Sequence, residues 1–160
     1  MPKTKSFPII NRDLSWLSFN ERVLQEAEDS SVPLIERIRF LGIFSNNLDE
    51  FFRIRVAANK RLVEAKIKSI EHEEDSPKEI LKKINKKTIQ LQQHFEEVYQ
   101  TLFKELEKEH IFFINEKNIL DEHVTFINSY FEDVVRPTLV PIMLHKKNPF
   151  PKLKGKSIYF

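Results

Sequence analysis

One helical period runs through the middle of the chain, and it constrains the fold more than any other feature. From residue 84 onward the apolar or tolerated positions alternate spacings of four and three: Ile84, Thr88, Leu91, Phe95, Val98 and Leu102. This spacing is typical of the seam of an antiparallel helical bundle or coiled coil. Ser76, Pro77 and Glu79 form a capping box with proline at the first helical position. The sequence therefore predicts a helix from there to about Glu109, spanning roughly 50 Å.

Glycine scarcity points the same way. The only glycines are Gly42 and Gly155, which favours long helices over many tight turns. Upstream of the long helix, Ser18 and Glu21 form a capping box that predicts the start of the first helix. Pro33 then predicts the start of a second helix at its first position. The acidic stretch 69–77, "SIEHEEDSP", is predicted to be a loop.

The stretch "FSNNLDEFF", residues 44–52, interrupts this helical pattern. Asparagine is a poor residue inside a helix because its amide competes for backbone groups. Asn47 is predicted to be the N-cap of a third helix, with Glu50 as reciprocal partner. That interpretation leaves Asn46 unexplained. A carboxamide also offers a donor beside an acceptor, the complement of an adenine edge. Capping and base recognition both remain open, as does a kink at this point.

The pattern changes near the end of the long helix. Four prolines fall in the last 24 residues: Pro137, Pro141, Pro149 and Pro151. The segments 111–115, 138–144 and 157–160 are predicted strands, and 121–135 is a predicted helix. We expect a mainly α chain, with an N-terminal helical bundle over 1–110 and the truncated beginning of an α/β-type domain over 111–160. Because the chain ends inside a predicted strand, we expect it to be a piece of a longer protein.

Composition narrows the class of protein. Apolar residues make up 41% of the chain, which is enough for a real core, and the net charge of +2 is nearly balanced. No bulk affinity for nucleic acid follows from that balance. Without cysteine, neither a disulfide nor a thiolate metal site can form. No stretch reads as a signal peptide or a membrane span. We expect a cytoplasmic protein with no nucleic-acid partner.

Catalytic chemistry has no candidate in the residue pattern. The five histidines, His72, His94, His110, His123 and His145, show no metal-binding spacing. Neither a glycine-rich phosphate loop nor a Ser/His/Asp arrangement occurs. The sequence therefore assigns this chain no catalytic and no metal-binding residue. The only tryptophan, Trp16, is predicted to precede the first helix and to close the end of the bundle.

Five lysines near the start of the long helix form what we call the lysine cluster: Lys78, Lys82, Lys83, Lys86 and Lys87. The helix dipole disfavours cations at this end. The cluster is either a polyanion contact or a solvated helix face.

Three long strings carry a resemblance to a known family: "DLSWLSFNERVLQEAED", "PLIERIRFLGIFSNNLDEFFRIRVA" and "FFINE". Together they resemble the N-terminal region of bacterial polyphosphate kinase, an ATP–polyphosphate phosphotransferase that works through a phosphohistidine. The resemblance runs from about Asn11 to Glu116. It implies an enzyme of four parts, of which this chain holds the helical N-terminal domain and the beginning of a head domain.

The resemblance also implies cofactors and partners. ATP and Mg²⁺ serve the full-length enzyme, and the phosphorylated histidine lies in C-terminal domains outside this chain, so this fragment is expected to be inactive and to bind neither tightly. The implied partners are ATP or ADP, polyphosphate, the enzyme's own C-terminal catalytic domains and a second copy through the head domain. A peripheral association of the full-length enzyme with the inner membrane stays open.

The residue carried over from the family is Asn47, because the resemblance implies that it binds ATP beside the adenine ring. Phe40 and Asn46 are secondary candidates, Phe40 because an aromatic face suits a purine. Two other functions remain as alternatives. One is a non-catalytic helical module that senses phosphate or polyphosphate through the lysine cluster. The other is a structural bundle for oligomer assembly.

Overall fold

A computed structural model of the chain describes residues 10–67, 75–145, 149–155 and 157–160. The predicted mainly helical fold is confirmed. The chain divides into two compact units, Met1–Phe113 and Ile114–Phe160. Residues 69–74 of the predicted acidic loop, which include His72, lie outside the described residues. Among the helices described, none is long and apolar enough to cross a membrane.

The first unit is a bundle built on a helical hairpin. Its helices are α1 (Arg12–Glu28), α2 (Leu34–Phe51), α3 (Ala57–Glu64) and α4 (Pro77–Lys108), and a π-helical turn (Phe52–Val56) joins α2 to α3 without a break. Helix α4 packs against the other three. Contacts between α1 and α2 pair the start of one with the end of the other, so the two helices are antiparallel. Trp16 stacks on Phe51, for example, with ring centroids 4.8 Å apart.

The apolar stripes of these helices meet in one core. Its fully buried members include Leu17, Leu24 and Ala27 of α1 and Ile84 and Leu102 of α4. The predicted seam of α4 is confirmed, with Phe95 only half-buried among its positions. Helix α4 is therefore held chiefly by packing rather than by its own propensity, as is usual for helices in proteins.

The predicted start of α4 is confirmed in atomic detail. The Ser76 hydroxyl accepts from the backbone N–H of Glu79 at 3.3 Å, and the Glu79 carboxylate accepts from the backbone N–H of Ser76 at 2.9 Å. The two residues thus satisfy one another's donors at a helix end that would otherwise leave them unpaired. The helix ends at Lys108, one residue before the predicted end.

Acidification is expected to loosen this first turn. The pKa of Glu79 lies below its ordinary value, first because the Ser76 side chain and backbone hydrogen-bond the carboxylate, and further because Lys83 is nearby. A pKa lowered by folding means that the stabilisation is complete above the unfolded-state value, near 4.5, and is lost as pH falls through the folded-state value. The Ser76 amide resonance should therefore titrate in acid by NMR. In Glu79→Gln that titration should vanish, and its persistence at the same midpoint would refute this assignment.

Helix α1 begins earlier than predicted. Ser18 is not a cap; it lies inside the helix, where its hydroxyl donates to the Leu14 carbonyl. The N-cap is Asn11, whose side chain accepts from the backbone N–H groups of Asp13 and Leu14. Trp16 accordingly lies within the helix rather than before it, although it packs against the core at the end of the bundle as expected. Both Asn11 and Ser18 are residues that can cap a helix. The turn before Ser18 packs in the bundle as part of α1, which favours Asn11.

The predicted helix boundary at the two asparagines is wrong. Helix α2 runs through Asn46 and Asn47, and Asn47 is not an N-cap. The helical path continues through the π-turn into α3, so no break or cap occurs between residues 34 and 64. Pro33 is the N-cap of α2 rather than its first residue, so the helix begins one residue later than predicted, at Leu34.

The second unit contains α5 (Asp121–Tyr130), followed by a π-helical turn (Phe131–Val135) and a short 3-10 turn (Arg136–Thr138). The predicted helix is confirmed here, but the three strand predictions are wrong, because none of those segments is a strand in the part of the chain that the structure describes. A strand exists only through hydrogen bonds to a neighbouring strand. These segments find no such neighbour among the described residues, so no β-sheet accompanies α5 there.

Candidate functional site

A pair of asparagine amides joins α1 to α2. Asn20 of α1 is fully buried, with 0% of its surface exposed. Its Nδ2 donates to the Phe44 backbone carbonyl at 3.1 Å, and its Oδ1 accepts from Nδ2 of Asn47 at 3.0 Å. Asn47 is half-buried. The side chain of Asn47 is therefore held from inside the bundle while remaining within reach of solvent.

The other two candidate ATP-binding residues lie near this pair but are placed differently. Phe40 is half-buried and packs against the core. It precedes Asn47 by seven residues, two helical turns, so both lie on the same side of α2. Asn46 is exposed, and its side chain makes no hydrogen bond to the described residues. The structure thus brings Phe40 and Asn47 to one face and leaves Asn46 outside it.

Exposed apolar residues lie near both members of the amide pair along the helices. Ile43 precedes Asn47 by one helical turn and is 45% exposed. Phe19 adjoins Asn20 in α1 and is 59% exposed. We call the surface of α2 formed by Phe40, Ile43 and Asn47 the amide face.

A second polar contact joins α1 to α3, and the sequence did not predict it. Asp13 and Asn59 are both buried, and Nδ2 of Asn59 donates to Oδ2 of Asp13 at 2.8 Å. The Nε atoms of Arg12 and Arg55 lie 3.9 and 4.0 Å from Oδ1 of Asp13. Two cations thus flank one buried carboxylate at the end of the α1–α2 hairpin that lies away from its connecting turn.

The π-turn explains how one helical path keeps contact with α1 along its length. Asn47, Phe51 and Asn59 all touch α1. In an α-helix, residues spaced by four drift by about 40° per step. A π-helical turn holds more residues, which counteracts the drift. The turn at Phe52–Val56 therefore keeps the same side of the path on α1 from the amide pair to Asn59.

A buried arginine holds the opposite end of the bundle. Arg37 of α2 is 5% exposed, and its Nε donates to the Ala27 carbonyl at 2.8 Å. Its guanidinium also pairs with Glu105 of α4 at 2.6 Å.

Buried polar residues can be found from the sequence where a polar side chain occupies an apolar position of a helical stripe. Asn20 is an example, because it continues the spacing of Leu17 and Leu24.

The lysine cluster is partly neutralised. Lys83 pairs with Asp75 and Lys87 pairs with Glu21, whereas the other three lysines are exposed. Within the described ranges, no group of three or more histidine, aspartate or glutamate side chains is arranged to hold a metal ion. The amide face holds two of the three candidate ATP-binding residues, Phe40 and Asn47.

Comparison with known proteins gives one consistent result. A family model described as the polyphosphate kinase N-terminal domain matches residues 9–114. The polyphosphate kinase of Vibrio vulnificus (strain YJ016) is 47% identical over 135 residues, which cover 84% of this chain and 19% of that protein. The polyphosphate kinase of Escherichia coli (strain K12) is 44% identical over 137 residues, covering 85% of this chain and 20% of that protein.

A solved structure agrees with the sequence matches. The crystal structure of polyphosphate kinase from Porphyromonas gingivalis superposes with a TM-score of 0.75 at 32% identity, covering 92% of this chain and 21% of that one. The chain thus spans about a fifth of the length of the curated relatives it matches. The match includes α1, α2 and the amide pair between them.

Proposed function

Because the chain belongs to the polyphosphate kinase family and matches its N-terminal domain, we propose that it is the nucleotide-recognition part of a longer enzyme. That enzyme reversibly transfers the terminal phosphate of ATP to polyphosphate through a phosphohistidine. The observation that carries the assignment is the half-buried amide of Asn47, held at 3.0 Å by the buried Asn20.

Asn47 recognises the base in this proposal. Its side-chain oxygen and its second N–H remain available to a ligand, since Asn20 takes only one of its N–H groups. This pair of groups complements the donor and acceptor on one edge of adenine. Phe40 and Ile43 provide apolar surface against which the ring packs. Asn46 takes no part, because its side chain is exposed and lies off the amide face.

The chemistry lies outside this chain in the proposal. The phosphohistidine and the Mg²⁺ that balances the phosphate charge belong to the C-terminal domains of the full-length enzyme. Support comes from the covered share of the relatives, about a fifth of their length.

The second unit supplies contacts to other parts of the enzyme. None of the residues of α5 is buried. Its apolar side chains are exposed, with Phe126 at 70% and Tyr130 at 50%. An apolar surface of this kind marks an interaction site. We assign this unit as the beginning of the head domain, which packs against the rest of that domain and pairs with a second copy.

We prefer nucleotide recognition to the two alternative functions. In a polyphosphate sensor built on the lysine cluster, Lys83 and Lys87 would have to leave their partners Asp75 and Glu21. A purely structural bundle needs only the N–H that Asn47 donates to Asn20, and it gives no role to the second N–H and the side-chain oxygen of Asn47. The resemblance to named kinases adds to this preference.

The test is Asn47→Ala in the full-length enzyme. Loss of the amide should raise the KM for ATP about 5- to 150-fold, equivalent to roughly 1–3 kcal/mol, because the base loses its polar partner. The KM for polyphosphate should stay unchanged. Ser45→Ala is the matched control, since Ser45 is exposed on the same helix. Equal ATP constants in Asn47→Ala and Ser45→Ala, measured well below the melting temperature, would refute the proposal.

A further inference from the structure

The orientation of the Asn47 amide is determined by a backbone carbonyl one turn earlier in its own helix. The Phe44 oxygen can only accept a hydrogen bond, so the Asn20 atom 3.1 Å from it is the donor Nδ2. Asn20 then turns Oδ1 toward Asn47. Because that oxygen can only accept, the Asn47 atom 3.0 Å away is also Nδ2. One carbonyl therefore sets both amides, and we call this chain of hydrogen bonds the amide relay.

Burial makes the relay difficult to reverse. Asn20 is 0% exposed, so water does not replace a lost partner there. Rotating the Asn20 amide by half a turn would place its Oδ1 against the Phe44 oxygen and its Nδ2 against Nδ2 of Asn47. Unmade hydrogen bonds of buried polar groups are costly. The Phe44 carbonyl belongs to the middle of α2 and cannot turn to follow.

This orientation leaves Asn47 with an acceptor that a ligand can reach, its own Oδ1, beside one remaining N–H. On the matching edge adenine offers a donor at N6 and an acceptor at N7, whereas guanine offers two acceptors, O6 and N7. A freely rotating asparagine pairs best with adenine through its mixed edge, but it can also turn its NH2 group toward the acceptors of guanine. An asparagine held by the relay cannot, because one N–H is already bound to Asn20.

We infer that Asn20 is a positioning residue that makes the site select a 6-aminopurine nucleotide over a 6-oxopurine nucleotide. It never touches the base; it acts through Asn47. This inference rests on the proposed nucleotide role of Asn47 and adds the specificity of that same site. Asn47 contacts the base, and Asn20 decides which base it accepts.

The experiment uses the full-length enzyme and compares kcat/KM for ATP with kcat/KM for GTP. The unaltered enzyme should prefer ATP. Asn20→Leu removes both hydrogen bonds and fills the buried position with an apolar side chain, so the preference should fall by at least about fivefold. The fall should come from improved use of GTP as well as weaker use of ATP. Asn20→Ala serves as a second variant, because it cannot overpack the site.

Leu17→Ala is the matched control. Leu17 is also fully buried in α1 but takes no part in the hydrogen bonds of the relay, so its loss should lower Tm and leave the ATP-to-GTP ratio intact. An unaltered enzyme that uses both nucleotides equally would overturn the inference without any variant. So would an unchanged ratio in Asn20→Leu or Asn20→Ala while Asn47→Ala still raises the KM for ATP. An Asn47→Ala enzyme with normal ATP use would instead overturn the proposed function.

Discussion

Replacing Phe44 with alanine is expected to destabilise the first unit by about 3–5 kcal/mol. The Phe44 side chain is 2% exposed and stacks on Phe95 of α4, with ring centroids 5.5 Å apart. Alanine would remove this contact between α2 and α4 and leave a cavity that the surrounding helices fill only in part. The measurement is the free energy of unfolding of the chain from urea denaturation, followed by circular dichroism.

Phe19→Ala provides the matched control for this prediction. Phe19 is 59% exposed, so the same chemical change there should alter the free energy of unfolding by no more than about 0.5 kcal/mol. Similar losses in Phe44→Ala and Phe19→Ala would show that burial against α4 is not what stabilises α2.

Replacing Arg37 with alanine is expected to cost about 3 kcal/mol, near the lower end of what breaking a buried ion pair costs. The change leaves the Ala27 carbonyl without its donor and Glu105 without its cation. The Glu105 side chain is 34% exposed, so water can solvate its carboxylate and offset part of the lost ion pair. Three helices lose a shared contact, and urea denaturation should show a lower midpoint with an unchanged slope.

Arg39→Ala separates burial from charge. Arg39 lies two residues further along α2, its side chain is 69% exposed, and it pairs with Glu36 on the same helix. A surface pair of this kind contributes little, so the loss should be no more than about 0.5 kcal/mol. If Arg37→Ala were as mild as Arg39→Ala, the contact with Ala27 and Glu105 would have no stabilising role.

The long helix α4 shows which features can be predicted from residues that are close together in the sequence. The seam of α4 and the capping box of Ser76 and Glu79 were both predicted from residues a few positions apart, and both are present. Each signal is complete within one helix, because a seam needs only its own spacing and a capping box needs only its own four residues. The start of α1 was not predictable in this way. Asn11 and Ser18 both resemble caps, and the packing of Trp16 on Phe51 favours the earlier one.

Part of the candidate site could be predicted from the sequence. Asn47 was selected from the sequence both as a cap and as an ATP-binding residue. Its cap role was inferred from local propensity and is wrong, because a partner 27 positions earlier in the chain binds its side chain instead. Asn20 was missed, although its place in the stripe of Leu17 and Leu24 marks it as a buried polar residue.

Residue order alone specifies that this chain is mainly helical, the seam of α4 and the family to which the chain belongs, since each depends on near neighbours or on long strings of residues. Contacts between distant segments decide the rest. Helix α2 accommodates Asn47 because Asn20 accepts a hydrogen bond from its amide. The segments 111–115, 138–144 and 157–160 are not strands because a strand needs a neighbour to bond with. The Asn47 amide has one orientation because a carbonyl beside Asn20 can only accept.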